Sequence, residues 1–87
     1  MDNSVRIEKI NSLINKAISP EILEIIDESS KHIGHAGNTS GAGHFAVKIK
    51  SHKFSGKSRI TVHQMIYKAL DEMIGPDIHA LRIVVIK

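Results

Sequence analysis

HFAVKIK, residues 44–50, alternates without a break: Phe45, Val47 and Ile49 fall on one side, and His44, Ala46, Lys48 and Lys50 on the other. That two-residue period predicts a strand with one face on a core and one face toward water. Upstream, residues 28–43 hold Gly34, Gly37, Gly41 and Gly43 and no apolar periodicity, which predicts a long mobile loop. Before it, EILEIID (21–27) is short and isoleucine-rich, and predicts a strand, most simply the antiparallel partner of 44–50. Val5, Ile10, Leu13, Ile14 and Ala17 recur at helical spacing, so residues 4–18 are expected to be a helix capped by Asn3 or Ser4 and stopped by Pro20. Downstream, SHKFSGKS (51–58) reads as a turn. A second helix then carries His63, Ile66, Tyr67, Leu70 and Ile74 and closes at Gly75–Pro76. ALRIVVI (80–86) is the last strand. A helix between the second and third strands implies a crossover and a parallel pairing. The expectation is one α+β domain over residues 1–87, with a three-stranded mixed sheet and helices on one face.

Composition narrows the class. An 87-residue chain buries roughly 60–65% of its unfolded surface, so the core is modest. Aromatic residues make up only 3%, so Ile, Val and Leu must fill it. With no cysteine, disulfides are excluded and nothing points to an oxidising compartment. The amphipathic, partly acidic N-terminus resembles neither a secretory signal nor a transit peptide, and the apolar runs are too short for a bilayer. A soluble, cytoplasmic protein is expected, with no membrane association. The net charge of +3 permits nucleic-acid contact without demanding it. Lys48, Lys50, Lys53, Lys57 and Arg59 form the one dense basic stretch, which a solvated strand edge explains as well as a phosphate footprint does. Phe45, Phe54 and Tyr67 all fall on positions that read as buried, leaving little for base stacking.

Six histidines are the chemical signal. His32, His35 and His44 crowd KHIGHAGNTSGAGHF (31–45), and His79 opens the last apolar run. Imidazole is the commonest metal ligand, yet a chain without thiolates cannot complete an iron–sulfur site alone. His32 and His35 are three apart, but in a glycine-rich loop that spacing fixes no geometry, and two ligands hold no structural zinc. Solvated loop histidines are the plainer reading. His63 lies on an apolar helix stripe, where a packed, hydrogen-bonded role is the simpler account. GKS (56–58) lacks the phosphate-loop glycine, because Ser51 occupies its place. GHAG (34–37) spells a GxxG clamp but lies between two strands rather than two helices. No Ser/His/Asp or paired-carboxylate arrangement stands out, so no enzyme activity is expected.

DES (27–29), KHIGHAG (31–37), GHF (43–45), FSGKS (54–58), His63, Tyr67, Leu70 and IHAL (78–81) together resemble the BolA family, in its order and spacing, over nearly the whole chain. The resemblance implies an α-β-β-α-α-β order related to class II KH folds, with a short additional helical turn near Ser58–Ile60. It also implies iron–sulfur cluster assembly: a heterodimer with a monothiol glutaredoxin around a shared 2Fe-2S cluster, with thiolates from the partner and from glutathione. Carried over, His79 is one ligand and His32 the second, with His35 as its close rival. The absence of cysteine makes this a histidine-type member. Imidazoles on one iron and thiolates on the other correspond to a Rieske-like arrangement. The free chain is then expected to be monomeric and to bind no cluster by itself. His44 matches a family histidine, and its outward strand position suits a structural hydrogen bond or partner contact, as does the position of His63. The alternative reading is a KH-like nucleic-acid-binding regulator of transcription or stress response, using Lys48, Lys50, Lys53, Lys57 and Arg59. Val62 and Gln64 flank His63 where the family usually carries basic residues, so DNA binding is expected to be weak or absent.

Overall fold

β2 (Gly43–Lys50) is the central strand, and the rest of the molecule is arranged around its two edges. The computed structural model describes residues 2–29 and 42–86. Most of the expected mobile loop, with His32 and His35, lies outside the described residues. β1 (Ile22–Asp27) pairs antiparallel with β2, placing Leu23 opposite Ile49, Ile25 opposite Val47 and Asp27 opposite Phe45. β3 (Ile78–Val85) pairs parallel with β2, Phe45 opposite Leu81 and Val47 opposite Ile83. The mixed sheet of order β1-β2-β3 is the expected one.

α1 (Asn3–Ile18) and α2 (Arg59–Ala69) supply the second layer. Phe45, Val47 and Ile49 meet Ile10, Ile14 and Ile18 of α1, Val62 and Ile66 of α2, and Leu70, Met73 and Ile78 in one cluster. Each such side chain contributes about 1.5–3 kcal/mol when fully buried. The buried row of α1 is Arg6, Ile10, Ile14 and Ile18, at a spacing of four. Val5 and Ala17, expected on the stripe, are exposed instead. Arg6 reaches from that row to Asp77, Nε to Oδ1 at 3.4 Å, and its Nη1 donates to Asn3 Oδ1 at 2.9 Å. The first helix is thereby tied to the turn that launches β3.

Three boundaries differ from the expectation. Asp2 caps α1, its Oδ1 accepting from the Val5 N–H at 3.0 Å. A carboxylate at a helix N-terminus gains from the helix dipole as well as the hydrogen bond, and Asn3 is released for other contacts. α2 ends at Ala69 rather than near Ile74. Its chain tightens into a 3₁₀ turn at Asp71–Met73, which buries Met73, and Gly75 then takes φ of 99° in the turn to β3. The additional helical turn is not at Ser58–Ile60: Ser58 caps α2, accepting from the Thr61 N–H at 3.1 Å. The extra single turns lie at His52–Phe54 and Asp71–Met73. Among the described residues, no helix is long and apolar enough to cross a membrane.

Candidate functional site

The β2–β3 ladder begins with an irregularity. Gly43 pairs with Ile78, yet the next residue, His44, pairs with Ala80, so His79 falls in the interruption. A bulge re-aims the side chain it carries. His79 is exposed, and its ring lies beside that of His44, with centroids 5.0 Å apart and planes inclined by 53°.

The backbone of His44 is held from both ends. Its N–H donates to Ser29 Oγ at 3.0 Å, and its carbonyl accepts from the Glu28 N–H at 2.7 Å. The DES segment is therefore a clamp on the start of β2. Asp27 completes it: Oδ1 accepts from the Ser29 N–H at 2.8 Å and Oδ2 from Asn3 Nδ2 at 2.9 Å. Burial by itself would raise the Asp27 carboxyl, but hydrogen bonds from the Ser29 N–H, the Ser29 hydroxyl and the Asn3 amide outweigh it and hold the group below its ordinary value. Glu28, nearly buried, takes two parallel hydrogen bonds from Arg82, Nε to Oε1 at 3.1 Å and Nη2 to Oε2 at 2.8 Å. That fork–fork geometry fixes both partners, and the carboxylate raises the guanidinium above its usual value. Glu28, His44, Ala80 and Arg82 line a hollow of about 220 Å³.

Gly43 has a steric task. A Cβ there would stand 2.6 Å from two carbons of the Phe45 ring, so only glycine lets that ring lie over the strand it belongs to. In GHF the three residues thus divide the work: the glycine makes room, the phenylalanine fills the core, and the histidine faces the site.

Of the expected site residues, His44 and His79 come together and His63 does not. His63 is half-buried on α2 and lines a different groove, with Lys50, Lys57 and Arg59. Lys53 is exposed, and Lys48 pairs with Glu24 at 3.6 Å. His44 points to the face that strand parity predicts but is only 9% exposed, which corrects the outward reading. Tyr67, expected to be buried, is 40% exposed, and its hydroxyl sits 3.5 Å from the Leu81 carbonyl. Glu28, Ser29, Asn3 and Arg82 were not singled out as site residues. Arg82 carried a legible signal, as the one charged residue inside ALRIVVI.

Two imidazoles can present neutral nitrogen donors of the kind that iron, zinc and copper accept. Among the described residues, no group of three or more His, Cys, Asp or Glu side chains could hold a metal ion. A metal held at His44 and His79 therefore needs donors from beyond the described residues.

A family model described as BolA-like protein matches residues 14–86. The chain is 38% identical over 74 residues to the DNA-binding transcriptional regulator BolA of Escherichia coli (strain K12), covering 85% of this chain and 68% of that protein. It is 36% identical to BolA-like protein 1 of Mus musculus, over 85% of this chain and 52% of that protein. The SufE-like protein 1, chloroplastic/mitochondrial, of Arabidopsis thaliana is 37% identical, with 87% of this chain matching 22% of its length. The chain thus spans about half the length of the mouse relative and a small part of the plant one. Among solved structures, the BolA domain of SufE1 from Arabidopsis thaliana superposes with a TM-score of 0.79 at 36% identity, covering 92% of this chain and 88% of that one. BolA1 from the same plant gives 0.75 at 34% identity, covering 90% and 86%.

Proposed function

Because the chain belongs to the BolA-like protein family, we propose that it is a non-catalytic adaptor in iron–sulfur cluster assembly and trafficking. Its cargo is a 2Fe-2S cluster shared with a monothiol glutaredoxin and glutathione in a heterodimer. The observation that carries this reading is the exposed imidazole of His79 set against His44 at a strand irregularity, 5.0 Å between ring centres.

The donor set fits a shared cargo better than a resident cofactor. A chain with no cysteine supplies no thiolate, so the thiolates come from the partner and its glutathione. In this reading His79 is the first ligand, and His32 or His35 supplies the second. His44 supports His79 at the ring face, and the Asp27–Ser29 clamp keeps that support in register. The isolated chain is a colourless monomer and works in the cytoplasm. Anaerobic reconstitution with equimolar monothiol glutaredoxin, glutathione, iron and sulfide tests it by absorption and circular dichroism. A heterodimer whose spectrum differs from that of the glutaredoxin alone is the expected result. An unchanged glutaredoxin spectrum, or a stoichiometric chromophore on this chain alone, would overturn the reading.

A nucleic-acid-binding regulator is the second reading, favoured by the name of the Escherichia coli relative and by Lys50, Lys57 and Arg59 around one groove. Around His63, however, Val62 is buried in the core and Gln64 is uncharged. Binding with Kd of about 10⁻⁴–10⁻⁶ M at physiological salt and a steep salt dependence is what such a footprint gives without base readout. A sequence-specific nanomolar complex at that salt would promote this second reading.

A further inference from the structure

β3 leaves one edge open. The Ile86 N–H donates to the Ile49 carbonyl of β2 at 2.8 Å. Successive residues of an extended strand point their backbone groups to alternate sides, so Arg82 and Val84 face β2 as Ile86 does. Leu81, Ile83 and Val85 turn their N–H and C=O outward, in agreement with the Tyr67 hydroxyl lying by the Leu81 carbonyl. No strand among the described residues pairs with that edge. An open edge is a template for another chain.

Beside Ile83 and Val85 lies a groove of about 910 Å³, bounded by the start of α2 and the connection that precedes it. Phe54 and Val62 contribute apolar lining, and Lys50, Lys57 and Arg59 contribute charge. The one carboxylate on its wall, Glu21, is 3.6 Å from His52. Among the described residues, no ion pair engages Lys50, Lys57 or Arg59. The groove therefore combines unpaired strand backbone, an apolar lining and a net positive rim.

We propose that this groove binds an extended acidic peptide segment of a partner protein. The segment adds as a fourth strand to β3 through the backbone of Ile83 and Val85, and its carboxylates meet Lys50, Lys57 and Arg59. Strand addition takes its affinity from main-chain hydrogen bonds and its selectivity from flanking pockets and charges. A second copy of this chain fits poorly. Two-fold pairing centred on the backbone of Ile83 and Val85 would bring the two basic rims together. Single-stranded nucleic acid fits less well than peptide. A phosphodiester backbone offers no N–H donors to the Ile83 and Val85 carbonyls, and the one phenyl ring on the wall, Phe54, is 8% exposed and unavailable for stacking. The groove begins at Ile83, about 13 Å along the strand from His79, and runs away from it. The proposal does not rest on the cluster reading, and both sites can be filled at once.

The test uses a fluorescein-labelled octapeptide alternating Asp and Val, with full-length ¹⁵N-labelled protein. Saturable one-to-one binding is expected, with the amides of Ile83 and Val85 shifted and their hydrogen exchange slowed. Backbone N-methylation of alternate valines in the peptide should weaken binding about tenfold or more, since it removes the main-chain donors. The double variant Lys57→Glu/Arg59→Glu should do likewise with an otherwise unchanged amide spectrum, because both side chains are exposed. The proposal fails if no saturable binding occurs, if the N-methylated peptide binds equally well, or if the shifts lie away from β3. It also fails if a twelve-residue oligothymidylate claims the same amides more tightly, or if the free protein dimerises through them.

Discussion

His44 and His79, drawn from two strands far apart in the chain, face each other across 5.0 Å because the β2–β3 ladder slips by one residue between Gly43 and His44. Carried back without that slip, the register of His44 with Ala80 would pair His79 with Gly43 and assign it to the opposite face of the sheet from His44. The irregularity is thus part of the site, and each of its two sides can be perturbed separately.

His79→Ala is expected to cost less than about 0.5 kcal/mol of stability, since the side chain is exposed. The same change is expected to abolish the cluster signature of the reconstituted heterodimer. Urea denaturation and visible circular dichroism on one preparation measure the two effects. An unaltered cluster spectrum would remove His79 from the ligand set.

His44→Ala divides differently. The side chain is 9% exposed, so truncation should cost about 1–2 kcal/mol. The heterodimer is expected to form still, with an altered rather than absent spectrum. Complete loss of the cluster with the fold intact would make His44 a ligand rather than a support.

Gly43→Ala should destabilise by about 1–3 kcal/mol, because the new methyl meets the Phe45 ring at 2.6 Å. Replacing Phe45 by Leu in the same chain should make the glycine change cheaper, so that the double variant costs less than the sum of the two single changes in a double-mutant cycle. Additive costs would mean that the strain lies elsewhere than in the ring.

Asp27 sets an acid limit. Its folded value lies below the ordinary 3.8, so the unfolded state takes up a proton first on acidification. Its stabilisation is present above about 3.8 and is lost as the pH falls through the folded value. Denaturation curves of the protein and of Asp27→Asn should therefore differ most at neutral pH and converge in strong acid. A gap that widens on acidification would reverse the assignment.

HFAVKIK carried its core face openly: Phe45, Val47 and Ile49 are in the core cluster, but Ala46, expected to face water, is fully buried on the other side. Helix ends were less legible. Ile74 keeps the spacing of α2 but reaches the core after the helix has ended, because the 3₁₀ turn at Asp71–Met73 points Met73 and its neighbour inward as well. Tyr67 shares the stripe of Ile66, yet its hydroxyl draws it to the Leu81 carbonyl at the sheet edge. Parity placed His44 on the correct face. What buries it, and what brings His79 beside it, depends on a parallel register and a bulge that no local pattern encodes. The DES segment was legible as a motif but not as a clamp, since its partners are Asn3, His44 and Arg82.

The parallel pairing of β2 with β3 also governs when the molecule becomes competent. β1 and β2 are neighbours in sequence, whereas β3 docks only after all of α2 has been threaded between them, and such distant contacts are slow to form. Until that closure, His79 rides on a loose tail, the ladder has no irregularity, and Glu28 has no Arg82. A half-folded chain thus presents neither the histidine pair nor the strand edge. The histidine pair and the strand edge therefore come into being together, with the docking of the last strand.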